Sequence, residues 1–100
     1  MPIANSVLVL FVIDIIWTGY ERNEERLAEK MRHSAIARNL FLNDYLTVKQ
    51  LQDIIESRTA YKANNYLLQI VKRNPEDMLM ALKKALVDVG QEELVPLLPA

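Results

Sequence analysis

His33 is the only imidazole in the 100 residues and there is no cysteine, so any acid–base, nucleophilic or metal chemistry would have to be assembled around that one ring. A Ser-His-Asp relay needs a serine that meets the ring from elsewhere in the fold, whereas Ser34 is its chain neighbour and cannot approach it in the usual way. The acidic pairs Glu24-Glu25, Glu76-Asp77 and Glu92-Glu93 would suit a hard cation if they converged. Neighbours on a helix point in different directions, however, and no second cluster completes a ligand set. They read as solvated faces and helix N-terminal charges. No Walker loop, dinucleotide fingerprint or Cys-X-X-Cys pair is present, and two glycines leave little material for a phosphate cradle. The expectation is a non-enzymatic protein with no catalytic residue, metal site or cofactor.

The elements that would position a binding surface are helical. The chain is 51% hydrophobic and 25% charged, enough for one compact core and too little for two. A formal net charge of -1 gives no global attraction to nucleic acid or anionic lipid and suggests a protein partner. The lack of cysteine fits a reducing cytosol, so a cytoplasmic location is expected. Residues 20–31 carry charges around Leu27 and Met31, as in a solvated helix with a narrow apolar stripe. Residues 34–42 carry Ile36, Leu40 and Phe41 in a second short helix that Asn43-Asp44 can end. Thr47-Val48-Lys49-Gln50 has capping-box form and opens a third helix, whose buried face is Leu51, Ile54 and Ile55. After a break at 57–59, a fourth helix bears Tyr61, Tyr66, Leu67, Ile70 and Val71, with Lys72 and Arg73 suited to its C-terminus.

Asn74 suits an N-cap, Pro75 the first helical position, and Glu76 and Asp77 the first turn of a fifth helix with the stripe Met78, Leu79, Leu82, Leu86 and Val89. Gly90 supplies a left-handed stop, and a short amphipathic helix follows. The expected core is Leu27, Met31, Ile36, Leu40, Leu46, Leu51, Ile54, Leu67, Ile70, Leu79, Leu82, Leu86, Leu94 and Leu97.

Residues 3–17 stand apart. They are nearly all apolar, with Asp14 among them and no period that separates an inside from an outside. As a helix they would span about 22 Å, short of the ~30 Å hydrocarbon core. The leading expectation is an extra hydrophobic helix packed on the domain. Contact with a membrane or an apolar partner is the second, and an extended terminus the third. The domain organisation is thus a hydrophobic segment over 1–19 and a helical bundle over 20–98.

Three motifs in order carry a family resemblance: Tyr45-Leu46-Thr47 opening the third helix, Lys72-Arg73-Asn74-Pro75 at the fourth turn, and Gly90-Gln91-Glu92-Glu93-Leu94 joining the last two helices. With six short helices in about 80 residues, residues 20–98 resemble a caspase recruitment domain (CARD), a member of the death-fold superfamily. The resemblance implies a six-helix antiparallel Greek-key bundle that binds CARD-containing proteins, including caspases, adaptors and antiviral signalling proteins, and allows homotypic self-association.

In many members a basic face on helices 1 and 4 meets an acidic face on helices 2 and 3. That pattern makes Arg58, Lys62, Lys72 and Arg73 the candidate basic residues and Asp53 and Glu56 the candidate acidic ones. The first helix departs from it, since Glu21, Glu24 and Glu25 stand where basic residues are common; Glu24 and Glu25 complete the candidate protein-binding set. No protease, nucleotide-binding or helicase module accompanies the bundle in this sequence. The chain therefore resembles stand-alone CARD-only decoys of host cells and large DNA viruses, including ranaviruses, that regulate apoptosis or innate antiviral and inflammatory signalling. Inhibition is expected over activation.

Two alternatives remain at this level. Residues 46–55 followed by 58–68 also resemble a helix-turn-helix pair, with the helix around Tyr61, Lys62, Asn64 and Asn65 entering the major groove. The negative net charge and the acidic first helix oppose that reading, and no nucleic acid is expected. The other is a membrane-attached interaction protein held through residues 3–17.

Overall fold

A computed structural model describes residues 21–99; the expected segment over 1–19, with its apolar run, lies outside them. The described chain forms α1 (Glu21–Lys30), α2 (His33–Leu42), α3 (Val48–Ile55), α4 (Ala60–Arg73), α5 (Pro75–Asp88) and a closing 3-10 helix, η1 (Glu92–Leu97). No strand occurs among the described residues, so the fold class is all-α.

Several boundaries follow from local chemistry. At α3 the capping box is complete: Thr47 Oγ1 accepts from the Gln50 N–H at 3.1 Å, and Gln50 Oε1 accepts from the Thr47 N–H at 2.9 Å. Thr59 caps α4 with its hydroxyl alone, accepting from the Lys62 N–H at 3.1 Å. Helices α2 and α5 end in matching Schellman motifs. Gly90 sits at φ 81°, the Gln91 N–H reaches back to the Leu86 carbonyl at 2.7 Å, and the Gly90 N–H reaches Val87 at 3.1 Å. Asp44 plays the glycine's part at φ 65°, with the Tyr45 N–H on the Leu40 carbonyl at 2.9 Å and its own N–H on Phe41 at 3.0 Å.

Two expectations are corrected. Asn74 precedes α5 but does not cap it with its side chain. Its N–H closes α4 on the Val71 carbonyl, and at ψ 66° its side chain turns away from the exposed amides, so that Nδ2 donates to Asp77 Oδ2 at 3.4 Å. The expected last amphipathic helix is a 3-10 helix, because Pro96 lies inside it and removes a donor an α-helical ladder would need.

Helix α4 packs against α1, α2, α3 and α5, and is the spine of the bundle; α2 also packs on α3 and α5, and η1 rests on α5 and α1. Ten of the fourteen expected core residues are buried, while Leu51, Ile70, Leu79 and Leu97 are only partly covered at its edge. The rest of the interior comes from Leu68, Val71, Met78 and Leu98 and from five buried alanines: Ala28, Ala37, Ala63, Ala81 and Ala85. Small residues at helix contacts allow the axes to approach closely.

The end of α1 has an unusual cause. The Met31 N–H still bonds the Leu27 carbonyl at 2.9 Å, but the next rung is replaced by two side-chain amides from distant parts of the chain. Buried Gln91 accepts from the Arg32 N–H at 2.8 Å and donates to the Lys30 carbonyl at 2.7 Å. Fully buried Asn64 donates to the carbonyls of Ala28 at 2.7 Å and Met31 at 2.9 Å. Arg32 Nη1 adds a bond to the Val89 carbonyl at 3.3 Å.

Two stability predictions follow from this packing. Leu67→Ala, at a fully buried site on the spine helix, should cost about 2–5 kcal/mol in chemical denaturation, and Leu51→Ala clearly less. Gln91→Ala should leave the Arg32 N–H and the Lys30 carbonyl, both part-buried, without this partner and cost about 1–3 kcal/mol in all, detectable as a lowered denaturation midpoint with the slope unchanged.

Candidate interaction surface

The eight candidate protein-binding residues fall at the two ends of α4 rather than on one face. Lys62 and Lys72 are ten residues apart on that helix, about 15 Å along its axis.

The first group gathers around the turn from α3 into α4. Asp53 is half-buried on α3: its Oδ2 accepts from the Tyr66 hydroxyl at 3.4 Å and lies 4.0 Å from Lys49 Nζ, while its backbone carbonyl takes the Ser57 hydroxyl at 2.8 Å. Glu56 is the exposed C-cap of α3, and Arg58 is exposed in the turn that follows. Lys62 is exposed at the third position of α4. Two acids and two bases thus share one small region, and the turn is held by Ser57 and Thr59 hydroxyls rather than by the charges themselves.

The second group sits at the other end of α4 and behaves differently. Lys72 Nζ meets Glu24 Oε1 at 2.9 Å, with both side chains more than three-quarters covered. This pair joins α4 to α1 inside the molecule. A covered pair of this kind is screened less than a surface one and is costly to break from one side. Glu24 and Lys72 were expected to serve as docking charges; in the fold each partners the other, leaving Arg73 and Glu25 as the exposed candidates at this end. Sequence reasoning had no route to this pairing, because the partners are far apart in the chain and become neighbours only when α1 packs on α4.

The helix-turn-helix reading loses one of its reading residues. Asn64, expected to face base edges, is fully buried and spends both amide hydrogens on α1 carbonyls. Lys62 and Tyr61 are exposed beside it, and Asn65 is half-buried.

An apolar surface was missed altogether. Met80 is 72% exposed and Val87 48% exposed on the outward side of α5. With Tyr45, Ala81, Val95 and the stems of Lys83 and Lys84 they line an open groove of about 390 Å³. The available signal was the seven-residue spacing of Met80 and Val87, which sets them together on α5 but off the buried stripe.

Among the described residues no three potential metal ligands converge, and no helix is long and apolar enough to cross a membrane. No protein-family model, curated protein or solved structure matches the chain.

The internal pair gives a direct test. Glu24→Lys should destabilise the domain by placing two covered ammonium groups together, and Lys72→Glu should do the same with carboxylates. The combined exchange should recover most of the loss, giving a coupling energy above the roughly 0.2–1 kcal/mol of an exposed pair. Thermal unfolding of the four proteins measures it.

Proposed function

We propose that the chain is a CARD-type death-fold module that docks onto CARD-containing host signalling proteins, such as caspases, adaptors or antiviral signalling proteins. By occupying them it dampens apoptosis or innate antiviral and inflammatory signalling. The observation that carries this reading is the sequence of boundaries. The three motifs behind the resemblance each turn out to have a structural job at the expected junction. Thr47 completes the box that opens α3, Asn74-Pro75 divides α4 from α5, and Gly90-Gln91 stops α5 and ties it to α1. Six short helical elements in that order support the Greek-key arrangement of the family.

The docking site in this proposal is the α3–α4 corner: Asp53, Glu56, Arg58 and Lys62. Exposed charges of both signs on one corner favour a partner surface with the opposite pattern and steer the encounter. The Glu24–Lys72 pair withdraws one charge of each sign from the far end of α4. With only Arg73 and Glu25 left exposed of the candidates at that end, the fuller charged corner at the start of α4 suits occupation of one partner more than extension of an assembly, which is the basis for reading the effect as inhibition.

A pull-down of the full chain against a panel of host CARDs, paired with a signalling reporter, tests the proposal. Selective capture should be lost in Lys62→Glu and in Glu56→Lys, both at exposed positions, with circular dichroism unchanged. Asp53→Lys should also abolish capture, with some loss of stability because Asp53 serves Tyr66 and Lys49. No capture by the folded wild type, or equal capture by all three variants, would overturn the reading.

A further inference from the structure

The break between α1 and α2 is imposed by distant parts of the chain and not by the residues at the break. From Glu21 to Leu42 the sequence holds no glycine or proline, and only Met31 and Arg32 part the two helices. Arg32 has a φ of -85°, which a helix accepts, and a ψ of 82°, which it does not. In one continuous helix the Arg32 N–H would bond the Ala28 carbonyl, and the Lys30 and Met31 carbonyls would receive the N–H groups of Ser34 and Ala35. Gln91 instead takes the Arg32 N–H and the Lys30 carbonyl, and Asn64 takes the carbonyls of Ala28 and Met31. Two side-chain amides thus stand in for three rungs of a helix that the local sequence would otherwise continue.

The apolar stripes show what the break achieves. On the α1 side Leu27, Ala28 and Met31 are buried, and on the α2 side Ile36, Ala37 and Leu40. At roughly 100° per residue the two stripes would lie about 180° apart on a straight helix. Such a helix cannot lay both stripes on one bundle, but it can lay one on each of two.

We propose that residues 21–42 have this second arrangement: a continuous helix whose α2 half stays on its own bundle while its α1 half crosses to α4 and η1 of a second copy of this chain. The exchange is reciprocal, so each bundle again holds an α1, with Glu24 of one chain beside Lys72 of the other. A connection of two residues favours exchange, because it relaxes on straightening. Gln91 opposes it: the Arg32 N–H that Gln91 receives belongs to the Ala28 carbonyl once the helix is continuous. The inference rests on the α1–α2 junction alone and does not depend on docking to another kind of domain.

Sedimentation velocity of the full chain tests it. Gln91→Ala should move the protein from monomer toward dimer, raising the association constant by roughly tenfold or more. His33 opens α2, a position that suits proline, whereas proline inside a continuous helix breaks it. Adding His33→Pro should therefore return Gln91→Ala to monomer. A second measurement keeps Gln91 in place. Glu24→Lys and Lys72→Glu each set like charges at the covered pair, but two such chains that exchange α1 match both bundles, one with the original pair and one with it reversed. Mixed through brief partial denaturation, they should give a one-to-one heterodimer in native mass spectrometry that melts above either variant alone, and His33→Pro in both chains should abolish it. A folded Gln91→Ala that stays monomeric as its concentration rises would overturn the proposal. So would a dimer that survives His33→Pro, which would assign the contact to another surface, or a mixture that melts as its separate parts. If Gln91→Ala does not fold, the mixture decides.

Discussion

Helix α1 stops where it does because two side-chain amides take over the hydrogen bonds that another helical turn would make. Gln91 receives the Arg32 N–H and binds the Lys30 carbonyl, while Asn64 binds the carbonyls of Ala28 and Met31. No glycine or proline marks this end, so α1 depends for its termination on α4 and on the segment after α5. The direction of α2 depends in turn on that stop, since only Met31 and Arg32 separate the two helices. Burial raises the stakes: Asn64 is fully covered and its Oδ1 receives no donor among the described residues, a cost the two strong Nδ2 bonds must offset. Polar groups of this kind contribute uniqueness of register as much as stability, because an apolar residue of the same size would pack there without fixing where α1 ends.

The electrostatics follow from the same framework. Once α1 is registered against α4, Glu24 arrives beside Lys72 and the two leave the pool of exposed charges. What remains is a mixed patch at the start of α4 and a sparser one at its end. Net charge is a poor guide to such a surface: a formal -1 conceals a corner where two acids, Asp53 and Glu56, are followed by two bases, Arg58 and Lys62. Orientation on a partner, rather than raw attraction, is what that arrangement supplies.

Much of the fold was legible in local sequence because its signals act within a turn of the residues that carry them. Thr47 and Gln50 meet three residues apart, Pro75 acts at its own position, and Gly90 needs only its own φ. The apolar stripes were equally readable, and ten expected core positions are buried. What escaped was set by tertiary neighbours. Asn64 and Gln91 look like ordinary polar residues until α1 lies against them, and Glu24 looks like one more charge in a charged helix. The buried alanines escaped because a small side chain is silent in a search for large apolar ones. Asp44 is a different case: its left-handed conformation was within reach of sequence reasoning, as aspartate tolerates that region better than most residues, but Asn43-Asp44 signalled only that the helix ends.

Gln91 also joins the two ends of the described chain. Its two bonds span 59 and 61 residues and close a loop over most of the bundle, so the hydrogen bonds they make stand against the entropy of that closure. One side chain both accepts from the Arg32 N–H and donates to the Lys30 carbonyl, so loosening the segment after α5 removes a donor and an acceptor from the end of α1 together. Gln91 is thus a clasp between the first and last described helices, closed over an α1 that α4 also holds along its length.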